Sequence, residues 1–150
     1  YFMQNLTTTL HNDIKNRREI VLPAGKAKFN WIDAGNIGEA AAILLCNFDD
    51  YKNNAYDITG YENKNFYEVA EIIHQVTENK IRYRNVNPFR FFRIKKKEGI
   101  PKGMITVIFF LHFLPRFQKE PEISDFYEKL SGKKPTSLKE FVKREEKLFN

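Results

Sequence analysis

Phe29-Asn30-Trp31-Ile32-Asp33-Ala34-Gly35-Asn36-Ile37-Gly38-Glu39-Ala40-Ala41-Ala42-Ile43-Leu44-Leu45 decides how the chain is read. It opens as a short apolar strand and turns at Asp33-Ala34-Gly35-Asn36. It then enters a helix whose middle is apolar on every side. A helix without a polar face is expected to be covered on more than one side. A strand, an acidic turn and a helix in succession form a unit of α/β proteins.

The same order of elements extends outward. Upstream, Leu6, Leu10 and Ile14 predict a helix over about 5–16, and Glu19-Ile20-Val21-Leu22 a strand stopped by Pro23-Ala24-Gly25. Downstream, Cys46 to Asn54 reads as a polar loop, and Ala55-Tyr56-Asp57-Ile58-Thr59-Gly60 as a strand ending at glycine. Residues 61–64 read as loop. Asn65 with Glu68 has capping-box spacing, and Phe66, Val69, Ala70, Ile72, Ile73 and Val76 share a helical face. Lys80 to Arg84 alternates like a strand. The chain is therefore predicted to be α/β, with a parallel or mixed sheet and covering helices.

Beyond Asn85 the pattern is helical. Asn87-Pro88 marks a helix start and Gly99 its stop; Pro101 opens an apolar helix that Pro115 ends or kinks. Ile123, Phe126, Tyr127 and Leu130 predict a helix closed by Gly132, and Ser137 with Glu140 caps the last one.

The 150 residues suit one domain, and 42% hydrophobic with 15% aromatic residues is ample for a core. The chain opens on Tyr1-Phe2-Met3, which reads as a cut edge of a longer protein. The longest apolar run, 104–114, is too short to span a bilayer. One cysteine, Cys46, excludes an internal disulfide framework, so cytoplasmic is the default location. Charge divides unevenly: residues 1–79 carry 7 Lys/Arg and 11 Asp/Glu, whereas 80–150 carry 18 and 8. Arg90, Arg93 and Lys97, with Lys95, Lys96 and Lys102, read first as a solvated basic face and second as a lid attracting an anionic substrate or surface. No nucleic-acid motif is present, so no specific nucleic acid is expected. His11, His74 and His112 lack ligand spacing, and no metal site is expected; His112 reads as a core or pocket-lining residue.

Phe2-Met3-Gln4-Asn5, Ile32-Asp33 with Asn36-Ile37-Gly38-Glu39-Ala40-Ala41, the 55–60 segment, Phe66-Tyr67-Glu68-Val69-Ala70, and Gly132-Lys133-Lys134-Pro135 with Ser137 to Phe141 occur in an order that resembles the C-terminal half of NmrA-like proteins. These are atypical members of the short-chain dehydrogenase/reductase superfamily. The resemblance implies that residues 1–84 are the C-terminal part of a Rossmann-type domain. It implies that residues 85–150 form a helical substrate-side region. It also implies NADP or NAD as cofactor in the complete protein, and reduction of a small aromatic or quinone-like substrate; a non-catalytic NADP sensor or an inactive fragment is the alternative.

The glycine-rich turn that receives the pyrophosphate is absent from these residues, so tight dinucleotide binding by this chain alone is not expected. Gly35-Asn36-Ile37-Gly38 is the nearest match and reads as a close strand-to-helix turn. No tyrosine has a lysine four residues on, which leaves the catalytic residues unassigned. The resemblance places Phe2, Met3 and Asn5 beside the nicotinamide and substrate, with core packing as the alternative for Phe2 and Met3 and a helix start for Asn5. Asp33 reads as a helix-terminal acid or a cofactor contact. Asn36 stands where the family usually has an acid. With half of the fold missing, a homodimer or a complementing N-terminal half is the expected partner, besides a small-molecule substrate.

Overall fold

The computed structural model describes all of residues 1–150. A 3-10 turn over Met3–Leu6 leads to helix α1 (His11–Arg17), strand β1 (Glu19–Leu22), strand β2 (Phe29–Asn30), helix α2 (Ala34–Cys46) and the short helix α3 (Phe48–Tyr51). Strand β3 (Asn63–Lys64), helix α4 (Phe66–Thr77) and strand β4 (Arg82–Asn85) follow. The remainder is helical: α5 (Pro88–Lys97), α6 (Lys102–Phe113), a 3-10 turn (Leu114–Phe117), α7 (Phe126–Ser131), α8 (Leu138–Arg144) and α9 (Glu146–Phe149).

Three strand pairings carry the α/β organisation. β1 and β4 run parallel, with Ile20 opposite Tyr83 and Leu22 opposite Asn85. β2 and β3 run antiparallel. A parallel bridge joins Phe2 to Ile32, closed by Met3 N–H to the Ile32 carbonyl at 2.9 Å and Ile32 N–H to the Tyr1 carbonyl at 3.0 Å. The parallel connection from β1 to β4 encloses α2 and α4, as such crossovers require.

Two elements depart from the predicted ones. The helix over 5–16 is broken, although Leu6, Leu10 and Ile14 are all buried as its spacing requires. The reason lies in Thr7 and Thr8, whose hydroxyls donate to the Gln4 carbonyl at 3.1 and 2.8 Å. Such side-chain bonds compete with the helix for backbone acceptors. The 55–60 segment is not a strand. At its end Gly60 N–H donates to Asn30 Oδ1 at 2.7 Å, and Asn30 Nδ2 donates to the Gly60 carbonyl at 2.9 Å. A side chain thus takes the groups a ladder would pair. Residues 63–64, expected as loop, supply β3 instead.

The helix starts follow the predicted chemistry. Asn65 accepts from the N–H groups of Tyr67 and Glu68 while Glu68 accepts from Asn65 N–H, and Ser137 with Glu140 forms the same box. Asn87 caps α5 with Pro88 at its first position. The closing helix Ile123 would have begun starts at Phe126, and Ile123 is exposed.

One hydrophobic cluster unites both sides of residue 85. It joins Met3, Leu6, Ile20, Trp31, Phe66 and Ile73 to Phe91, Ile105, Leu138, Phe141 and Phe149. Helix α8 lies on α4, and α9 on α1 and α4. The apolar α2 does not conform to the expectation of burial: within this chain only Asn36 and Ala40 are buried, and Leu45 is 72% exposed. Its apolar surface is covered only in part, by α7 and α3.

Candidate functional site

The bridge between Phe2 and Ile32 brings the N-terminal segment against β2 and the end of α6. There Tyr1, Phe2, Asn5, Phe29, Leu111 and Pro115 line a cleft of about 400 Å³. Two of the three residues singled out in the sequence, Phe2 and Asn5, are in its wall. Phe2 is half exposed, and Asn5 is partly buried with its backbone in the 3-10 turn. No side-chain hydrogen bond of the protein uses the Asn5 amide. It is free to donate to, or accept from, a molecule in the cleft. Met3 is placed elsewhere: it is fully buried in the core and does not line the cleft.

The floor of this region is an aromatic cluster. The Tyr1 ring lies edge-on to Trp31, Phe29 and Phe66, at centroid distances of 4.6, 5.3 and 5.9 Å. Behind it, Tyr1 Oη and His112 Nε2 are 2.9 Å apart, and His112 Nδ1 is 2.6 Å from the Ile108 carbonyl. A carbonyl only accepts, so His112 carries its proton on Nδ1 and Nε2 accepts from the phenol. Burial pushes the His112 pKa down to about 4, against a smaller upward pull from the Ile108 bond. The ring is therefore neutral and fixes the hydroxyl of a cleft-lining residue. Its position inside an apolar run was the only sign of this in the sequence.

Asp33 is assigned by its contacts. Its carboxylate accepts from Gly35 N–H at 2.9 Å, Gln4 Nε2 at 2.7 Å and Arg144 Nη1 at 2.7 Å. Burial raises its pKa, but Arg144, Gly35 and Gln4 together outweigh that and hold the group below the usual carboxylate range. Ala34 N–H donates to Gln4 Oε1 at 3.1 Å, and Asn36 and Ile37 N–H reach the Asp33 carbonyl. The first N–H groups of α2 are thus taken by protein acceptors. A phosphate at Gly35–Gly38 would have to displace a carboxylate already seated there, so the turn is not a phosphate cradle.

Asn36 is not the helix cap. It is buried, donates from Nδ2 to Tyr127 Oη at 2.8 Å and accepts Thr136 N–H at 2.9 Å. Tyr127 in turn donates to Glu39 at 2.6 Å, and Lys133 pairs with Glu39 at 2.8 Å. An acid at 36 could not donate to the phenol, which gives the asparagine a specific structural use.

The basic segment divides. Lys95 is buried and pairs with Asp13 and Glu98, while Arg17 also bridges Asp13 and Glu98. It therefore does not belong with the exposed cations Arg90, Arg93, Lys96, Lys97 and Lys102. No group of His, Cys, Asp and Glu residues has the arrangement of a metal site. No helix is long and apolar enough to cross a membrane.

Known proteins match the chain over nearly all its length. It is 28% identical over 150 residues to an uncharacterized oxidoreductase, YesF, of Bacillus subtilis, covering 95% of this chain and 50% of that protein. It is 26% identical over 143 residues to an NAD(P)H azoreductase of Xenophilus azovorans, covering 95% and 49%. The triphenylmethane reductase of Citrobacter sp., solved with NADP(H), superposes with a TM-score of 0.84 at 22% identity, over 96% of this chain and 50% of that one. The chain matches the C-terminal half of the NmrA-like, NAD(P)-binding epimerase and reductase family. No family model matches. A quinone oxidoreductase of Escherichia coli, QOR2, superposes at a TM-score of 0.79 and 18% identity, over 100% and 53% of the two chains. The chain thus spans about half the length of the relatives it matches, and its fold is that of the C-terminal part of Rossmann-type NAD(P)-binding proteins.

Proposed function

We propose that these residues form the substrate-side half of an NAD(P)H-dependent reductase acting on a small aromatic or quinone-like molecule. The observation that carries the reading is the cleft of Tyr1, Phe2, Asn5, Phe29, Leu111 and Pro115, where the Asn5 amide is free and the Tyr1 hydroxyl is already held by His112. A flat apolar wall suits an aromatic ring, and one free amide suits its carbonyl oxygen. Three of the proteins it resembles, the azoreductase, the triphenylmethane reductase and the quinone oxidoreductase, are named for redox chemistry, which supports reduction.

The residues present do not fit the cofactor's pyrophosphate. The helix terminus at Gly35–Gly38 is filled by Asp33 and Gln4, and no other glycine-rich turn precedes a helix. The dinucleotide is therefore assigned to the half of the complete protein that the relatives have and residues 1–150 lack. What this chain supplies is orientation. The His112-held Tyr1 and the aromatic cluster stiffen the cleft floor, Asn5 sets the direction of the substrate oxygen, and the apolar walls exclude water.

The test is NADPH oxidation by the complete protein with a substituted benzoquinone. Quinone-dependent turnover supports the reading. NADPH binding without turnover on any quinone or azo compound defeats it, and favours a sensor of the cofactor.

A further inference from the structure

Beside the cleft lies a second hollow of about 460 Å³, lined by Lys26, Ala27, Lys28, Pro115, Arg116, Gln118, Lys119 and Glu120. The two share Pro115 as a common wall. They are also joined through the chain, because Lys28 precedes the cleft residue Phe29 and Arg116 follows Pro115. The hollow brings four cations together with a single carboxylate. That carboxylate, Glu120, is 3.2 Å from Lys28. Lys26, Arg116 and Lys119 have no acidic partner. Charge in the hollow is therefore positive after internal pairing.

Arg116 is held in place. Its guanidinium carbon lies 5.1 Å from the Phe113 ring centroid, stacked over that ring. Its Nε lies where a side chain at residue 25 would begin: a Cβ added to Gly25 would be 2.9 Å away. Gly25, at φ +58°, supplies the bare backbone that lets the arginine pass. The guanidinium is positioned with no carboxylate to receive it, which is the arrangement that recognises an external anion through its planar fork.

We propose that the cleft and the hollow form one site. Its ligand is an aromatic molecule bearing an anionic substituent, a sulfonate or carboxylate. The ring lies between Phe2, Phe29 and Leu111, and the anion meets Arg116, Lys26 and Lys119. This inference rests on the cleft being the substrate site, and it adds the charge of the substrate. It also assigns Arg116 as the specificity-determining residue.

The experiment is isothermal calorimetry on the 150-residue chain with naphthalene-2-sulfonate, its neutral isostere naphthalene-2-sulfonamide, and sodium sulfate. The sulfonate binds roughly tenfold more tightly than the sulfonamide at low ionic strength, and the ratio shrinks in salt. Arg116→Gln and Lys26→Gln/Lys119→Gln, at exposed positions, lower sulfonate affinity by about threefold to tenfold and leave the sulfonamide unchanged. Phe2→Ala weakens both aromatic ligands. Equal affinity for sulfonate and sulfonamide overturns the anion assignment while leaving the cleft intact as an aromatic site. Sulfate binding as tightly as the aromatic sulfonate also overturns it, since the ring then contributes nothing. Binding of neither aromatic ligand overturns the cleft reading and this proposal together.

Discussion

Three donors converge on the Asp33 carboxylate: the N–H of Gly35, the amide of Gln4 and the guanidinium of Arg144. They tie the first turn of α2 to the N-terminal segment and to α8. The folded-state pKa of Asp33 lies below 3.8, so its stabilisation is complete above about pH 4 and is lost as pH falls through the lower folded value. Urea unfolding of Asp33→Asn is expected to show a loss of about 1 kcal/mol at pH 7, because asparagine still caps but no longer pairs with the half-exposed Arg144. The difference from the parent shrinks as pH falls below the ordinary carboxylate range. His112 acts in the same direction at higher pH. Its folded pKa of about 4 is below the ordinary 6.5, so stability is full above pH 6.5 and falls as pH drops toward 4. The span is on the order of 3 kcal/mol. His112→Gln, which keeps an acceptor for the Tyr1 hydroxyl, should flatten the unfolding profile in that window. An unchanged profile would contradict the buried, neutral ring. The acid at the turn was legible in the sequence because Asp-Ala-Gly-Asn before an apolar run is helix-start chemistry. The Tyr1–His112 and Asn36–Tyr127 bonds were not, since they join residues separated by 111 and 91 positions.

Helix starts were the most readable elements, because a cap is a local bargain between a side chain and N–H groups two or three residues on. Asn65, Asn87 and Ser137 all serve as predicted. Elements that depend on distant partners were less readable. The 55–60 segment has strand composition, yet what decides its conformation is the Asn30 side chain. Its final glycine shows how closely the two stretches approach: a Cβ at Gly60 would lie 1.7 Å from the Trp31 carbonyl oxygen. No side chain fits there unless the backbone of β2's continuation moves. Gly60→Ala is therefore expected to destabilise the chain by about 2–4 kcal/mol, read from the urea midpoint with an unchanged slope. A loss below about 0.5 kcal/mol, within the range of neutral surface changes, would show that the approach is loose.

Over the whole molecule, two apolar helices are left half-covered. Leu45 on α2 and Phe48 on α3 are exposed, as are Met104, Val107, Phe110 and Leu111 on α6 and Leu114 just after it. The composition of α2 called for cover on several sides, which these residues supply only in part; half of each relative's length lies outside the matched region. Exposed faces of this kind favour association. Light scattering of the chain at micromolar concentration is expected to give a dimer or larger species, and a monodisperse monomer would contradict this. Co-expression with the glycine-rich half of the fold should reduce the association. The candidate cleft followed the same line. Phe2 and Asn5 were singled out through the family resemblance, while Phe29, Leu111 and Pro115 join them only through folding. The central claim is that the substrate oxygen is set by Asn5 in this cleft, and steady-state kinetics of Asn5→Ala in the complete protein test it most directly. The account predicts a fall in kcat/KM for the quinone of about 10- to 100-fold, the loss of one well-placed hydrogen bond, with the KM for NADPH unchanged. Unaltered kcat/KM for the quinone, or a change confined to NADPH, would contradict it.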